Sequence, residues 1–229
     1  MIGIIAAMQA EHKLICQKIE NKQTRTIAGI NFVFGQINGK DVVTAVCGIG
    51  KVFAASAAQI MCLEFSPDLI INTGVAGSLD NELSIFDIAV SSSVVQHDMD
   101  TSPLGDPVGL VSGINIINFP ADALVADKVL SVAKHLGFKA KKGVIASGDQ
   151  FVAANERKNF IKSQFNAIAC EMVGAAIGHV CYINKVQFVV IRSISDNANE
   201  DSPLDFPAVM ARAADNSASL TLSLLNSLE

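Results

Sequence analysis

Four acidic side chains fall where short apolar runs end: Glu11 in AAMQAE, Asp149 in SGDQFV, Glu171 in ACEMVGAAIGHVC and Asp196 in RSISD. Open α/β sheets bind ligands beyond the carboxyl ends of their strands, so such positions are where chemistry is sought. A carboxyl group there can exchange protons with a bound substrate. Each also has a structural reading: Glu11 complements a helix dipole, Asp149 makes a turn, and Asp196 caps a helix or pairs with Arg192. Glu171 heads a stretch that is otherwise apolar or small until His179, with Val173 two residues on. The glycine turns CGIGK (47–51) and NTGVAGS (72–78) follow apolar runs, but neither fits GxGxxG or GxxxxGK followed by Ser or Thr, so both are weak phosphate-loop signals. His12, His97, His135 and His179 lack metal-ligand spacing, and there is no GxSxG elbow, which disfavours zinc hydrolysis and a serine triad.

The frame for these residues is legible as short β-branched runs alternating with longer segments of helical period, the rhythm of an α/β domain. Strands are predicted over 3–7, 32–37, 42–47, 69–74, 88–96, 142–147, 167–170 and 188–195. Asn38-Gly39 joins the second and third as a tight hairpin, so the sheet is expected to be mixed. Helices are predicted over 9–20, 51–65, 121–136, 172–184 and 205–227, the last with Asp205 near its start. The stretch 97–113, HDMDTSPLGDPVGLVSG, reads as a loop long enough to serve function or meet a partner subunit.

Composition narrows the classes of partner. The 229 residues, 50% hydrophobic and 17% charged, suffice for one sizeable core, and a single domain over 1–229 is expected. A formal charge of -5 offers no general attraction to nucleic acid or an acidic membrane surface and favours small neutral or cationic ligands. The N-terminus has no basic region before its short apolar run, and no stretch reaches the ~18 apolar residues of a membrane span, so a cytoplasmic protein is expected. Cys16, Cys47, Cys62, Cys170 and Cys181 are scattered, without a CxxC pair, and read as reduced, buried structural thiols.

Taken singly these features leave the function open; in order they are specific. GIIAAMQAE, CGIGKVFAA, LIINTGVAGS, HDMDTSPLG, SGDQFV, CEMVGAA, RSISDNAN and the Leu204-Asp205-Phe206 segment together resemble the 5'-methylthioadenosine/S-adenosylhomocysteine nucleosidases, within the purine nucleoside and uridine phosphorylase superfamily. The likeness covers nearly the whole chain. It implies a nucleoside phosphorylase-like three-layer α/β/α sandwich with a central mixed β-sheet. It also implies a homodimer in which a loop of the neighbour, by position 97–113, completes each site.

The implied chemistry is hydrolysis of an N-ribosyl bond to adenine. A proton must reach the departing base and water must reach C1', and two carboxyl groups on opposite sides suffice, as in inverting glycosidases. By the resemblance, Asp196 is the acid that protonates purine N7 and Glu11 the base that activates water, with no metal or organic cofactor. Ser195 beside the acid and Arg192 behind it support the site, Gly77 lies in the substrate-binding NTGVAGS turn, and Glu171 supports either the site or the following helix start. Phe151 would stack on adenine while the Val152 backbone reads its edge; without the resemblance, Phe151 reads as a core residue. The alkylthio tail would rest on Met8, Ile49, Met172 and Phe206, with Leu104 reaching in from the partner.

The chain also departs from the pattern. The motif at 171–173 usually reads Glu-Met-Glu, its second Glu taking both ribose hydroxyls, and here that position is Val173. Losing such an acceptor predicts roughly ten- to a thousandfold weaker kcat/KM on a ribonucleoside. Val75 stands where Ser is frequent, and Leu104 and Ser112 where the partner loop often has Phe and Pro. Two alternatives therefore stand beside the hydrolase: a catalytically weakened homologue that binds an adenine nucleoside, and a nucleoside phosphorylase, for which the glycine loops offer only Lys51 as a nearby cation.

Overall fold

A computed structural model describes residues 1–198 and 206–228. The chain runs β1 (Ile2–Ala6), α1 (Gln9–Gln17), β2 (Glu20–Ile27), β3 (Ile30–Ile37), β4 (Lys40–Val46), α2 (Lys51–Phe65), β5 (Leu69–Ser78) and β6 (Ile88–Gln96). It continues with β7 (Phe119–Pro120), α3 (Ala123–His135), β8 (Ala140–Ser147), α4 (Asn155–Phe165), β9 (Ala167–Glu171), α5 (Gly174–Asn184), β10 (Gln187–Asp196) and α6 (Phe206–Ser227).

Nine of these strands follow the order β10-β6-β8-β9-β5-β1-β4-β3-β2, and β7 is attached to β6. The sheet is mixed, as the Asn38-Gly39 signal requires. Both turn residues have positive φ, 50° and 76°, and Ile37 pairs with Lys40 across them. β10 also pairs with β5 in parallel, so β10, β6, β8, β9 and β5 close into a ring and β1, β4, β3 and β2 extend from it. Closure gathers the ends of β5, β9 and β10 around one point.

Two apolar layers cover the sheet. Ala54, Ala57, Ala58 and Met61 of α2 pack with Ala175, Ile177 and Val180 of α5 on one side. Ile15 of α1, Val125 and Val129 of α3, and Leu220 and Leu224 of α6 form the other. A third cluster joins Ile161 and Phe165 of α4 to Val152 and Cys170. β5, LIINTGVAGS, is buried at every residue but Val75 because strands flank it and helices cover it.

Several boundaries move. β2 and α4 were not expected from sequence: ENKQTRTI is an exposed, polar edge strand, and NERKNFIKSQF buries only Ile161 and Phe165, so neither shows an apolar periodicity. α3 starts at Ala123, with Asp122 as the cap accepting from the Val125 N–H at 2.8 Å. α5 begins at Gly174 rather than 172, which leaves Glu171 as the last residue of β9. Within 97–113 there are a short 3-10 turn, Ser102–Leu104, and a single antiparallel bridge from Val111 to Ile116. Four cysteines are buried as expected, but Cys16 is only half-buried. Leu204, Asp205 and Asn199 lie outside the described residues.

Candidate active site

The ends of β1, β5, β9 and β10 surround a cavity of about 250 Å³. Glu11, in the first turn of α1, projects into it and is almost fully buried. Its Oε2 accepts from the backbone N–H groups of Ala7 (2.9 Å) and Met8 (2.8 Å), and its Oε1 from that of Val75 (3.1 Å). The bond back to Met8 is half of a capping box, so Glu11 does complement the helix start. Burial pushes its carboxyl above the ordinary value, against the opposing pull of Arg192 and the three N–H groups. A carboxylate whose proton affinity is raised is a stronger base toward a bound water.

Asp196 ends β10 and is 7% exposed. Its Oδ2 accepts from Ser195 Oγ at 2.9 Å and its Oδ1 from the Ala198 N–H at 2.8 Å. Two glycines of β5 admit the carboxyl groups. A Cβ at Gly74 would lie 2.4 Å from Glu11 Oε1, and one at Gly77 would lie 2.7 Å from Asp196 Oδ1. Three residues of extended strand separate these glycines by roughly 10 Å. One strand thus sets the spacing of both acids.

Behind the cavity lies a buried ion pair. Arg192 Nη2 donates to Glu171 Oε2 at 2.6 Å and also to Asn72 Oδ1, while Nη1 donates to the carbonyls of Asn72 (3.1 Å) and Ile191 (3.0 Å). Asn72 Nδ2 in turn donates to the Ile5 carbonyl at 2.9 Å, tying β5 to β1 just before Glu11. Glu171 also accepts from Ser147 Oγ and from the N–H groups of Val173 (3.0 Å) and Gly174 (2.9 Å). Burial alone raises its carboxyl, but Arg192, Ser147 and Gly174 hold it below the ordinary value. Glu171 thus lies behind the cavity, paired with Arg192, and accepts from the N–H groups at the start of α5.

Met8, Glu11, Ile49, Gly77, Phe151, Val152, Glu171, Met172, Val173, Arg192, Ser195, Asp196 and Phe206 all line this cavity. Leu104 does not; it is 84% exposed on the 97–113 loop. Phe151 is not the core residue its type alone suggests, being 64% exposed at the rim with its ring edge-on to Phe206 at 6.4 Å. Asp149 caps α2 by accepting from the Lys51 N–H at 2.7 Å. Asn72 and Gly74 lie in the NTGVAGS stretch and Ser147 in SGDQFV, but none of the three is given a role of its own from sequence. The available signal was a polar Asn-Thr-Gly interrupting the apolar run of β5. Cys170 also lines the cavity, but burial and the nearby Asp196 push its thiol up to about 12, so it stays protonated and is no nucleophile. Among the described residues no group of three or more His, Cys, Asp or Glu is placed to hold a metal ion.

The phosphorylase superfamily profile matches residues 1–226. A 5'-methylthioadenosine/S-adenosylhomocysteine nucleosidase of Shewanella sediminis is 44% identical over 228 residues, covering 99% of each chain. The Neisseria meningitidis 5'-methylthioadenosine/S-adenosylhomocysteine nucleosidase in complex with methylthio-immucillin-A superposes with a TM-score of 0.95 at 33% identity, covering 99% of each chain. The futalosine hydrolase of Helicobacter pylori strain 26695 superposes at 0.94 and 36% identity, covering 99% of this chain and 97% of that one. Sequence, fold and the paired carboxyl groups agree: the chain belongs to the 5'-methylthioadenosine/S-adenosylhomocysteine nucleosidase family of the phosphorylase superfamily.

Proposed function

We propose that the protein hydrolyses the N-ribosyl bond of 5'-methylthioadenosine and S-adenosylhomocysteine, releasing adenine and the 5-thio-substituted ribose. The observation that carries this is the pair of buried carboxyl groups, Glu11 and Asp196, seated against Gly74 and Gly77 of one strand and lining one cavity. Asp196 gives its proton to N7 of the departing base, and the Ser195 hydroxyl and Ala198 N–H stabilise the carboxylate left behind. Glu11 takes a proton from the water that attacks C1'. Phe151 stacks on the base, Val152 reads its edge, and Met8, Ile49, Met172 and Phe206 receive the alkylthio tail. Val173 in place of an acid lowers kcat/KM on ribonucleosides by roughly ten- to a thousandfold.

The working unit of this proposal is a homodimer of one-domain chains, with Leu104 of each copy reaching the other's tail site. The exposed apolar side chains Ile49, Val52, Phe53, Leu104 and Phe151 support it. A cytoplasmic setting in methionine salvage and methyl-cycle recycling is supported by five free thiols. No helix among the described residues is long and apolar enough to cross a membrane.

The test is adenine release from 5'-methylthioadenosine by purified protein, with and without phosphate. Equal release in both conditions is expected. Release that needs phosphate would move the protein to the phosphorylases, and none at all would make it a nucleoside-binding homologue; the names of the relatives favour neither. Within the same assay, Gly77→Ala is expected to lower kcat by about tenfold or more, because its Cβ would displace Asp196 and small misplacements of a reacting group are expensive. Circular dichroism should remain that of the parent, and an unchanged kcat would count against Asp196 as the acid held in place by Gly77.

A further inference from the structure

We infer that the sugar subsite does not read the ribose hydroxyls, so that the protein accepts deoxyribosyl adenine nucleosides about as well as ribosyl ones. The inference rests on the nucleosidase reading only for the placement of the sugar. With base at Asp196 and water at Glu11, the sugar must lie between them. Two of the side chains that line this cavity are Val75, whose own N–H holds Glu11, and Val173, which is 4% exposed. Neither can accept a hydrogen bond from a hydroxyl.

The polar neighbours are already engaged. Glu171 receives bonds on both oxygens, Oε1 from Ser147 and Gly174 and Oε2 from Val173, Gly174 and Arg192. Thr73 Oγ1 is bonded to Ser217 Oγ at 2.7 Å and Thr221 Oγ1 at 3.1 Å. Ser195 Oγ is held against the acid, donating to Asp196, and carries no charge to offer a diol. Arg192 keeps one buried nitrogen, Nε, without a partner; it can donate to a hydroxyl oxygen but cannot take the hydroxyl's own hydrogen bond, which is what a carboxylate would accept. Gln150 sits exposed at the rim beside Phe151. Among the described residues that line the cavity, no uncommitted carboxylate other than the catalytic pair remains for the diol.

Such a wall discriminates weakly. A site built to bond a hydroxyl rejects the analogue lacking it by ~10⁴ or more, whereas an apolar wall penalises an added hydroxyl by only ~10² at most. Val75 and Val173 are thus the specificity-determining pair, and they widen the substrate class.

The experiment compares 5'-methylthioadenosine with its 3'-deoxy analogue, whose altered position is remote from the reacting C1'. For the parent protein the two kcat/KM values are expected within about tenfold of each other; a preference for the riboside of about a thousandfold or more would overturn the inference. Val173→Glu is expected to shift the ratio toward the riboside by about tenfold or more. Should that variant not fold, Val75→Ser tests the other wall for a shift in the same direction, and no shift in either folded variant would count against the pair. Calorimetric Kd values for both nucleosides separate the two proposals. If neither releases adenine the nucleosidase reading fails, while a Kd ratio within tenfold still supports an unread sugar and a large ratio still refutes it.

Discussion

Glu11→Gln is expected to lower adenine release by about a thousandfold while leaving the fold at least as stable at neutral pH as the parent. A positioned general base contributes ~10²–10⁴ in rate, and the amide has no proton affinity to offer the attacking water. The stability half follows from burial. The Glu11 carboxyl is raised above its unfolded value because burial disfavours the anion, and Arg192 and the N–H groups of Met8, Val75 and Ala7 offset this only in part. The native state therefore binds more protons than the unfolded chain between those two values. Stability contributed by this group is fully present below the unfolded pKa and is lost as pH rises through the folded one. Gln removes that loss. Against it stands one mismatch, since an amide NH₂ would face an N–H donor where Glu11 now accepts from Ala7, Met8 and Val75. The decisive measurement is the difference in Tm between variant and parent at pH 4 and pH 8. It should move in the variant's favour with rising pH, and movement the other way would mean that the carboxylate is a net stabiliser. In the parent, activity should fall on the acid side above the ordinary carboxylate range as Glu11 protonates.

How much of this site was legible in the sequence depended on whether a residue's role is local. The hairpin at Asn38-Gly39 and the start of β5 are local, set by turn conformation and apolar composition, and both are where the sequence places them, but β5 runs on to Ser78 through NTGVAGS, which the sequence suggests is a glycine turn. β2 and α4 were invisible because their stability comes from neighbours: ENKQTRTI is a polar edge held by β3, and α4 is anchored by Ile161 and Phe165 alone. The same division runs through the site. Glu11 and Asp196 stand out as acids at strand or helix ends, and the ordered family motifs identify them. What spaces them is Gly74 and Gly77, and nothing in the sequence distinguishes a glycine beside a carboxylate from one in a turn. Glu171 looked like a lone acid in an apolar stretch because its partner, Arg192, is 21 residues away and its other contacts come from Ser147 and the backbone. The exposure of Phe151 likewise depends on the tertiary arrangement, since a Phe in that loop carries no mark of whether it is covered.

That buried pair leads to the largest stability effect expected in the molecule. Arg192→Met should destabilise the protein by about 3–5 kcal/mol at pH 7, because it leaves the Glu171 carboxylate buried and without its cation. The double variant Arg192→Met, Glu171→Gln should recover a substantial part of that loss, since the amide carries no charge into the interior. The pH dependence separates charge from packing. In the parent, Glu171 is held below its ordinary value, so it contributes stability present above the unfolded pKa and lost as pH falls through the folded one. Without Arg192 the largest lowering influence is gone and burial dominates, so the single variant should be most impaired at neutral pH and least in acid. Urea unfolding at pH 7 and pH 5 tests this, and equal destabilisation of the single and double variants would assign the effect to lost volume or to the Asn72 contacts instead. Catalysis should not return with stability. Arg192 fixes Asn72, Asn72 fixes the end of β1 through the Ile5 carbonyl, and the N–H groups that hold Glu11 begin two residues later at Ala7. Arg192 is on this argument a positioning residue, and the double variant should fold with a reduced kcat and a Glu11-dependent acid limb displaced from that of the parent.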